Sequence, residues 1–420
     1  MTNEKEIEAK KNLGALGTVK GFRDIQGNEA EKRIQIRNII EDIFRKYNFI
    51  PAETPIIEYE EFVKGDNVND EAVSEIFKLE DRGERKLALR YEFTFQLKRL
   101  AMNKKLPYKR YQIGPVFRDE PIAGNRWRQF IQCDADIVGS SIKDEAEILA
   151  IASEIFEKLG IKIKINFNNR KLLNEILDKE KIKQEQKAEV IRELDKLDKL
   201  NEKEVRENLK KYKAEKVLDT FNKKEKDFEK YASYAEIAEL KKECGELGIE
   251  INFMPFLARG LSYYNGSIFE VKTEPGEIKK TSGFLTDSKS EGFVNMKETI
   301  AGGGSYLVNG IQSTGISFGL DRLEMLAKLK ETNNKTLIIS IAQDEKAREL
   351  ASKLRNKNIP CSIMYGKVSK ALEYANSYNI PYVIFVGEEE VKKKKFLLRN
   401  MKTGVELLLE EKELVTKIGL

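Results

Sequence analysis

The stretch "VFRDEPIAGNRWRQFIQCDADIVG", residues 116–139, decides how this chain is read. From Trp127 onward one set of alternate positions holds Trp127, Gln129, Ile131, Cys133, Ala135 and Ile137. The other holds Arg128, Phe130, Gln132, Asp134 and Asp136. Successive side chains of a strand point to opposite faces, so this period of two predicts a strand with a mostly apolar back and a polar front. With "KRYQIGPVFRDE" before it, the segment reads as a long antiparallel hairpin with a mobile loop at Pro121–Asn125. Buried polar groups without partners are costly, so packing alone does not explain Gln132 and Asp136 inside a sheet.

Working outward, residues 30–47 form the clearest helix, with Ile36, Ile39, Ile40, Ile43, Phe44 and Tyr47 on one face. "NFIPAETPIIE" is extended and broken by Pro51 and Pro55, which suits an edge strand or a subunit contact. A helix over 144–159 is stopped by Gly160, and "IKIKINF" then alternates as a half-exposed strand should. Residues 170–247 are Lys/Glu-rich and leucine-spaced, an inserted module of short amphipathic helices with solvated charged faces. Strand-like sequence resumes at 249 and runs through "YYNGSIFEV", "TIAGGGSY" and "STGISFG", so the core sheet is antiparallel and interrupted by the insert. After "NNKT" strands alternate with helices, the first helix opened by Asp344 as a cap. That rhythm predicts a small α/β domain with a mainly parallel sheet. The expected organisation is an extension over 1–17, an α+β domain over 18–169 and 248–332, a helical insertion over 170–247, and an α/β domain over 333–420.

Composition narrows the chemistry. The 420 residues suffice for two or three domains, and 35% charged residues mark a heavily charged globular chain. A net charge of +5 is compatible with a nucleic-acid partner, although local patches matter more than the sum. No run is apolar enough to span a bilayer, and the polar N-terminus lacks the centre of a signal peptide. Three scattered cysteines argue against disulfides or a zinc site and make a reducing cytoplasm the default; Cys133 reads as a packed thiol. The chain contains no histidine. That excludes Ser-His-Asp and Cys-His catalysis, and no metal can be held by His.

Unusual polar residues then fall on strands of the first domain: Glu92 and Thr94, Arg118 and Glu120, and Arg128, Phe130, Gln132 and Asp136. "LARGLSYYNG" adds Arg259, Tyr263 and Tyr264, and "GLDRL" sets Arg322 at the start of a helix. Guanidinium forks suit phosphate oxygens, an aromatic face suits a planar base, and carboxylates suit a cation. Glycines at 302–304 and 315–319 let a ligand approach the backbone. The set points to a nucleotide plus an amine-bearing small molecule. Taken singly, Arg118 beside its acids reads as a salt bridge. Tyr263 and Tyr264 cannot both face inward on a regular strand, so one of them packs.

The order "GFRDI…TPIIE", "LRYEFT", "GPVFRDE…RWRQFIQCDADIVG", "LARGLSYYNGSIFEV", "AGGGSY" and "GISFGLDRL" resembles the histidyl-tRNA synthetases, class II aminoacyl-tRNA synthetases, from about residue 18 to the end. The resemblance implies a class II antiparallel sheet flanked by helices, a helical insertion, and a C-terminal α/β anticodon-binding domain. It implies a cytoplasmic homodimer, with the segment around Pro55 as the dimer contact, that joins L-histidine to tRNA-His using ATP and Mg2+. Arg118 would hold the ATP α-phosphate, Glu120 the adenine amino group, Phe130 the adenine face and Arg322 the γ-phosphate. Glu92, Thr94 and Gln132 would receive the α-ammonium group. Asp136 and Tyr264, beside Tyr263, would meet the imidazole, and Arg259 the carboxylate and α-phosphate. Arg128 would meet the tRNA acceptor end. The family usually shows Asp at Ser262, Arg-Tyr-Asp at Ser305-Tyr306-Leu307, Pro at Tyr91 and Glu at Asp136. Two rivals use the same fold without charging tRNA: a regulatory subunit of histidine biosynthesis and an RNA-binding paralogue. A maker of histidyl-tRNA without histidine codons could be rebuilt when its product is scarce; deliberate recoding or a biased genome gives the same composition.

Overall fold

The period-two segment lies in the middle of an eight-stranded sheet. A computed structural model describes residues 17–65, 74–121, 126–198, 200–258, 263–274, 299–329 and 334–419. The chain divides into two units, Met1–Leu329 and Lys330–Leu420. Most of the loop at Pro121–Asn125, Arg259, Ser262 and nearly all of the N-terminal extension lie outside the described residues.

The strands of the first unit are β1 (Ile50–Pro51), β2 (Ile57–Tyr59), β3 (Lys78–Glu80), β4 (Lys86–Leu89), β5 (Tyr108–Phe117) and β6 (Gln129–Val138). They continue as β7 (Ile163–Asn169), β8 (Ile251–Phe253), β9 (Tyr264–Thr273), β10 (Ala301–Val308) and β11 (Ile311–Gly319). The large sheet runs β1-β5-β6-β11-β10-β9-β7-β8, and β2-β4-β3 form a small one. The expected antiparallel core holds for the six inner strands. Each outer strand instead pairs parallel, β1 with β5 and β8 with β7.

The back of β6 is the core. Cys133, Ala135 and Ile137 are fully buried there, and burial holds the Cys133 thiol far above its ordinary range. Helices Gly27–Lys46 and Ile142–Lys158 cover this face. Phe44 meets Tyr111 and Phe318 at ring separations of 5.5 and 6.3 Å, and Phe156 meets Phe318 at 5.7 Å. Each such side chain contributes about 1.5–3 kcal/mol on leaving water. Ser141 and Asp144 cap the second helix reciprocally. Gly160 ends it at φ +66°, a left-handed conformation that favours glycine.

Two expectations need correction. "IKIKINF" alternates as expected through Ile165, with Lys162 and Lys164 exposed, but β7 is then buried from Ile165 to Asn169. Its polar alternates bond to the chain rather than to water: Asn168 donates to the Pro255 and Leu257 carbonyls, and Asn166 accepts from Asn252. The segment 170–247 forms short helices as expected, and Leu173, Ile176, Val190 and Leu194 join the large apolar cluster of the first unit. Asp344 is the first residue of its helix rather than the residue preceding it, and it accepts from Ser340.

The second unit adds β12 (Thr336–Ser340), β13 (Cys361–Tyr365), β14 (Tyr382–Val386), β15 (Phe396–Asn400) and β16 (Glu406–Leu409). The order is β13-β12-β14-β15-β16. The first three pair parallel and the last two join antiparallel, so the parallel character predicted from the βα rhythm covers half of the four pairings.

Candidate active site

The front of β6 faces a cavity of about 80 Å³. Gln132, Asp134 and Asp136 line it because alternate side chains share a face. The neighbouring strand β11 sets Ser317 opposite Asp134 and Gly315 opposite Asp136. From β10 come Gly302, Gly303 and Tyr306, and the chain entering β9 supplies Tyr263 and Tyr264. Glu92, Thr94 and Arg118 complete the lining.

Glu92 and Thr94 are not on a strand, as the sequence reading had them. β4 ends at Leu89, and Arg90 holds the chain that follows by donating to the Pro115 carbonyl at 2.9 Å and to that of Thr54 at 2.6 Å. Both tyrosines face the cavity, against the expectation that one packs away. Tyr263 lies in the turn before β9, where strand alternation does not yet apply, and the two rings are 4.8 Å apart. The glycines serve a purpose beyond ligand access. A Cβ on Gly315 would stand 2.2 Å from Asp136 Oδ1, and one on Gly303 would stand 2.0 Å from the Gly315 carbonyl oxygen.

Three buried carboxylates share one space and repel each other. Burial first, then Asp134 and Asp136, push Glu92 up to about 8, while Arg118 pulls it down. Burial and Asp136 raise Asp134 to about 7, against Arg110, Ser317 and Gln132. Asp136 is also raised by burial, against Arg110 and Tyr306. Tyr306 donates to Asp136 Oδ1, and Gln132 Nε2 donates to Asp134 at 2.9 Å. The Tyr263 hydroxyl stands 3.5 Å from Glu92. Such a lining is chemically suited to a cation bearing N–H donors.

Glu120, Arg128, Phe130 and Arg322 are not in the wall of this cavity. Arg118 connects the two regions: it lines the cavity, lies 5.2 Å above the Phe130 ring and stands 3.7 Å from Glu120. Arg128 pairs with Asp119 at 3.1 Å and donates to the Glu120 carbonyl at 3.1 Å. Arg322 donates to the Thr299 carbonyl. Its neighbour Asp321 anchors the helix by accepting from Arg33 and from the Ile131 backbone N–H, both at 2.9 Å.

Sequence reasoning missed Asp134, Tyr306 and Arg110 as site residues. Asp134 shares the alternation of Gln132 and Asp136 and was legible from that. Arg110 was legible from hairpin register, since it pairs directly across from Asp136. Tyr306 was marked only by its match within the family string at 305–307; its contact with Asp136 depends on β10 lying two strands away from β6.

A family model described as histidyl-tRNA synthetase matches residues 21–281, and one described as anticodon binding domain matches 333–419. Histidine–tRNA ligase 1 of Bacillus anthracis is 37% identical, covering 93% of this chain and 97% of its own. Histidine–tRNA ligase 2 of Shouchella clausii is 34% identical, over 92% and 96%. The crystal structure of histidyl-tRNA synthetase from Nostoc sp. PCC 7120 superposes with a TM-score of 0.79 at 23% identity, covering 96% of this chain and 98% of that one. A structure described as an ATP phosphoribosyltransferase regulatory subunit/histidyl-tRNA synthetase, from Bacillus halodurans, gives 0.71 at 19%, over 88% and 97%. At these identities the two structures speak to the fold.

Proposed function

The chain belongs to the histidyl-tRNA synthetase family, and from that premise we infer that it is a histidine–tRNA ligase, a class II aminoacyl-tRNA synthetase that uses ATP. The observation that carries the site reading is the carboxylate-rich cavity on the front of β6, which fits an amine beside an imidazole. In the first step a histidine carboxylate oxygen attacks the α-phosphorus of ATP, the bond to pyrophosphate breaks, and histidyl-adenylate forms. In the second, the 3′-terminal hydroxyl of tRNA-His attacks the acyl carbon, AMP leaves, and the proton passes to a phosphate oxygen. Both steps can run on positioning and charge neutralisation, which explains how a chain with no histidine performs them.

In this proposal Glu92, Thr94 and Gln132 orient the α-ammonium group, and Asp136, Tyr263 and Tyr264 surround the imidazole. Arg118 and Arg259 neutralise charge at the α-phosphate, with Glu120 and Phe130 on the adenine and Arg322 on the γ-phosphate. Among the described residues no group of three or more His, Cys, Asp and Glu is placed to hold a metal ion. Mg2+ is therefore proposed only as an ion carried on ATP oxygens, a usual arrangement for this ion, and neither step is routed through it.

The catalytic domain is assigned to 18–169 and 248–332, the insertion to 170–247, and anticodon binding to 333–420. Arg128 is assigned to the acceptor end. A homodimer is supported by Ile50, Ile56, Ile57 and Tyr59, which are all exposed on the segment around Pro55. A cytoplasmic location belongs to the same proposal; among the described residues no helix is long and apolar enough to cross a membrane. The decisive experiment is histidine-dependent ATP–pyrophosphate exchange run beside charging of tRNA-His transcripts. Both activities are expected. A chain that performs neither would return the reading to a non-catalytic regulatory subunit or RNA-binding relative.

A further inference from the structure

The three carboxylates of the cavity are unequally committed. Asp136 is engaged on both oxygens: Tyr306 donates to Oδ1, and Arg110 Nη2 stands 3.0 Å from Oδ2 as an ion pair rather than an aligned hydrogen bond. Arg110 is fully buried, and the same Nη2 donates to the Phe93 carbonyl at 2.8 Å, between Glu92 and Thr94. Asp136 thus ties the sheet to the segment above it. Asp134 accepts from Gln132 at 2.9 Å and from the Ser317 hydroxyl across the sheet, yet its Oδ1 has no partner. Glu92 Oε1 and Gln132 Oε1 are likewise buried and unpartnered, and all three side chains face the same cavity.

A primary ammonium group has three N–H donors and no acceptor. Four acceptor oxygens of the lining lack a hydrogen bond; Asp136 Oδ2 is ion-paired with Arg110, and the remaining three match that count. Building on the ligase reading, we propose that Asp134 is a substrate-contacting specificity residue. It takes one N–H of the bound α-ammonium group in place of Thr94, Glu92 and Gln132 take the others, and Arg110 and Tyr306 hold Asp136 out of that contact.

Two probes separate the nitrogens. Histidinol carries the imidazole and the ammonium; imidazolepropionate carries the imidazole and lacks the ammonium. Titration calorimetry on the full chain should show Asp134→Asn weakening histidinol about tenfold or more, with imidazolepropionate held within about twofold. In exchange assays the histidine KM should rise while the ATP KM stays put. Asp136→Asn should instead lower the melting temperature and weaken both probes, because Arg110 loses its partner. If Asp134→Asn does not fold, Asp134→Glu keeps the charge one methylene away and should show the same selective loss, smaller in size. Unchanged histidinol affinity in the Asp134 variants, or equal weakening of both probes, would overturn the assignment while the ligase reading stood. A native chain that binds neither histidine nor histidinol and shows no exchange would overturn both.

Discussion

The eight-stranded sheet of the first unit and the five-stranded sheet of the second spend their buried positions differently. In the second, β12 and β14 bury Leu337, Ile338, Ile339, Val383 and Ile384, with two apolar clusters on its two faces. Its charges stay outside, many in i,i+4 pairs such as Lys392 with Glu388 and Lys393 with Glu389. In the first, the back of β6 is just as apolar, but the front buries Arg110, Glu92, Asp134 and Asp136, several with unpaired atoms. A sheet whose buried positions are mostly apolar leaves few groups unmet, here Arg399 Nε among the described residues. One that serves a ligand leaves acceptors unmet and is stable in spite of them.

Four measurements break or sharpen that contrast, the largest effect first. Arg110→Met should cost about 3–5 kcal/mol in denaturant unfolding, because it strands Asp136 without its cation. Adding Asp136→Leu should recover part of the loss; a single variant as stable as the native chain would show that the front tolerates its acids unaided. In the second sheet, Ile338→Ala should cost about 2–5 kcal/mol through a cavity in an apolar core, and histidine affinity should not change. A change in affinity there would erase the division of labour.

The pH dependence comes third. Glu92 near 8 and Asp134 near 7 keep protons in the folded chain that the unfolded chain has already released above the ordinary carboxylate range. The folded state therefore binds more protons between about pH 5 and 8, and stability falls as pH rises, by up to about 1.4 kcal/mol per unit for each proton retained. Melting curves across that window should show the fall, and Asp134→Asn should flatten it. A melting temperature that rises through the window would contradict the crowding of acids. Smallest of all, replacing Lys392 or Lys393 by Ala should leave stability and tRNA charging unchanged, since exposed ion pairs contribute little. A clear loss of charging would turn that solvated run into an RNA contact.

How much was legible follows from the range of each signal. Alternation over 127–137 gave both faces of β6, because strand geometry is local. The ends of strands were less legible. Glu92, Thr94 and Tyr263 lie where alternation has stopped, so their facing depended on Arg90, Arg110 and the entry to β9. The glycine runs were seen, but their tightest neighbours, Asp136 Oδ1 and the Gly315 carbonyl oxygen, belong to adjacent strands.

By itself, the sequence determined that a polar-fronted hairpin exists, that histidine chemistry is excluded, and that a βα unit follows near residue 335. These depend on residue type and spacing along a single segment. Only the tertiary structure decided that Tyr306 also binds Asp136 while Asp134 keeps an open oxygen. That difference arises from a strand far away in the chain, and the free energy of a buried charge depends on which groups the fold brings within a few ångströms of it.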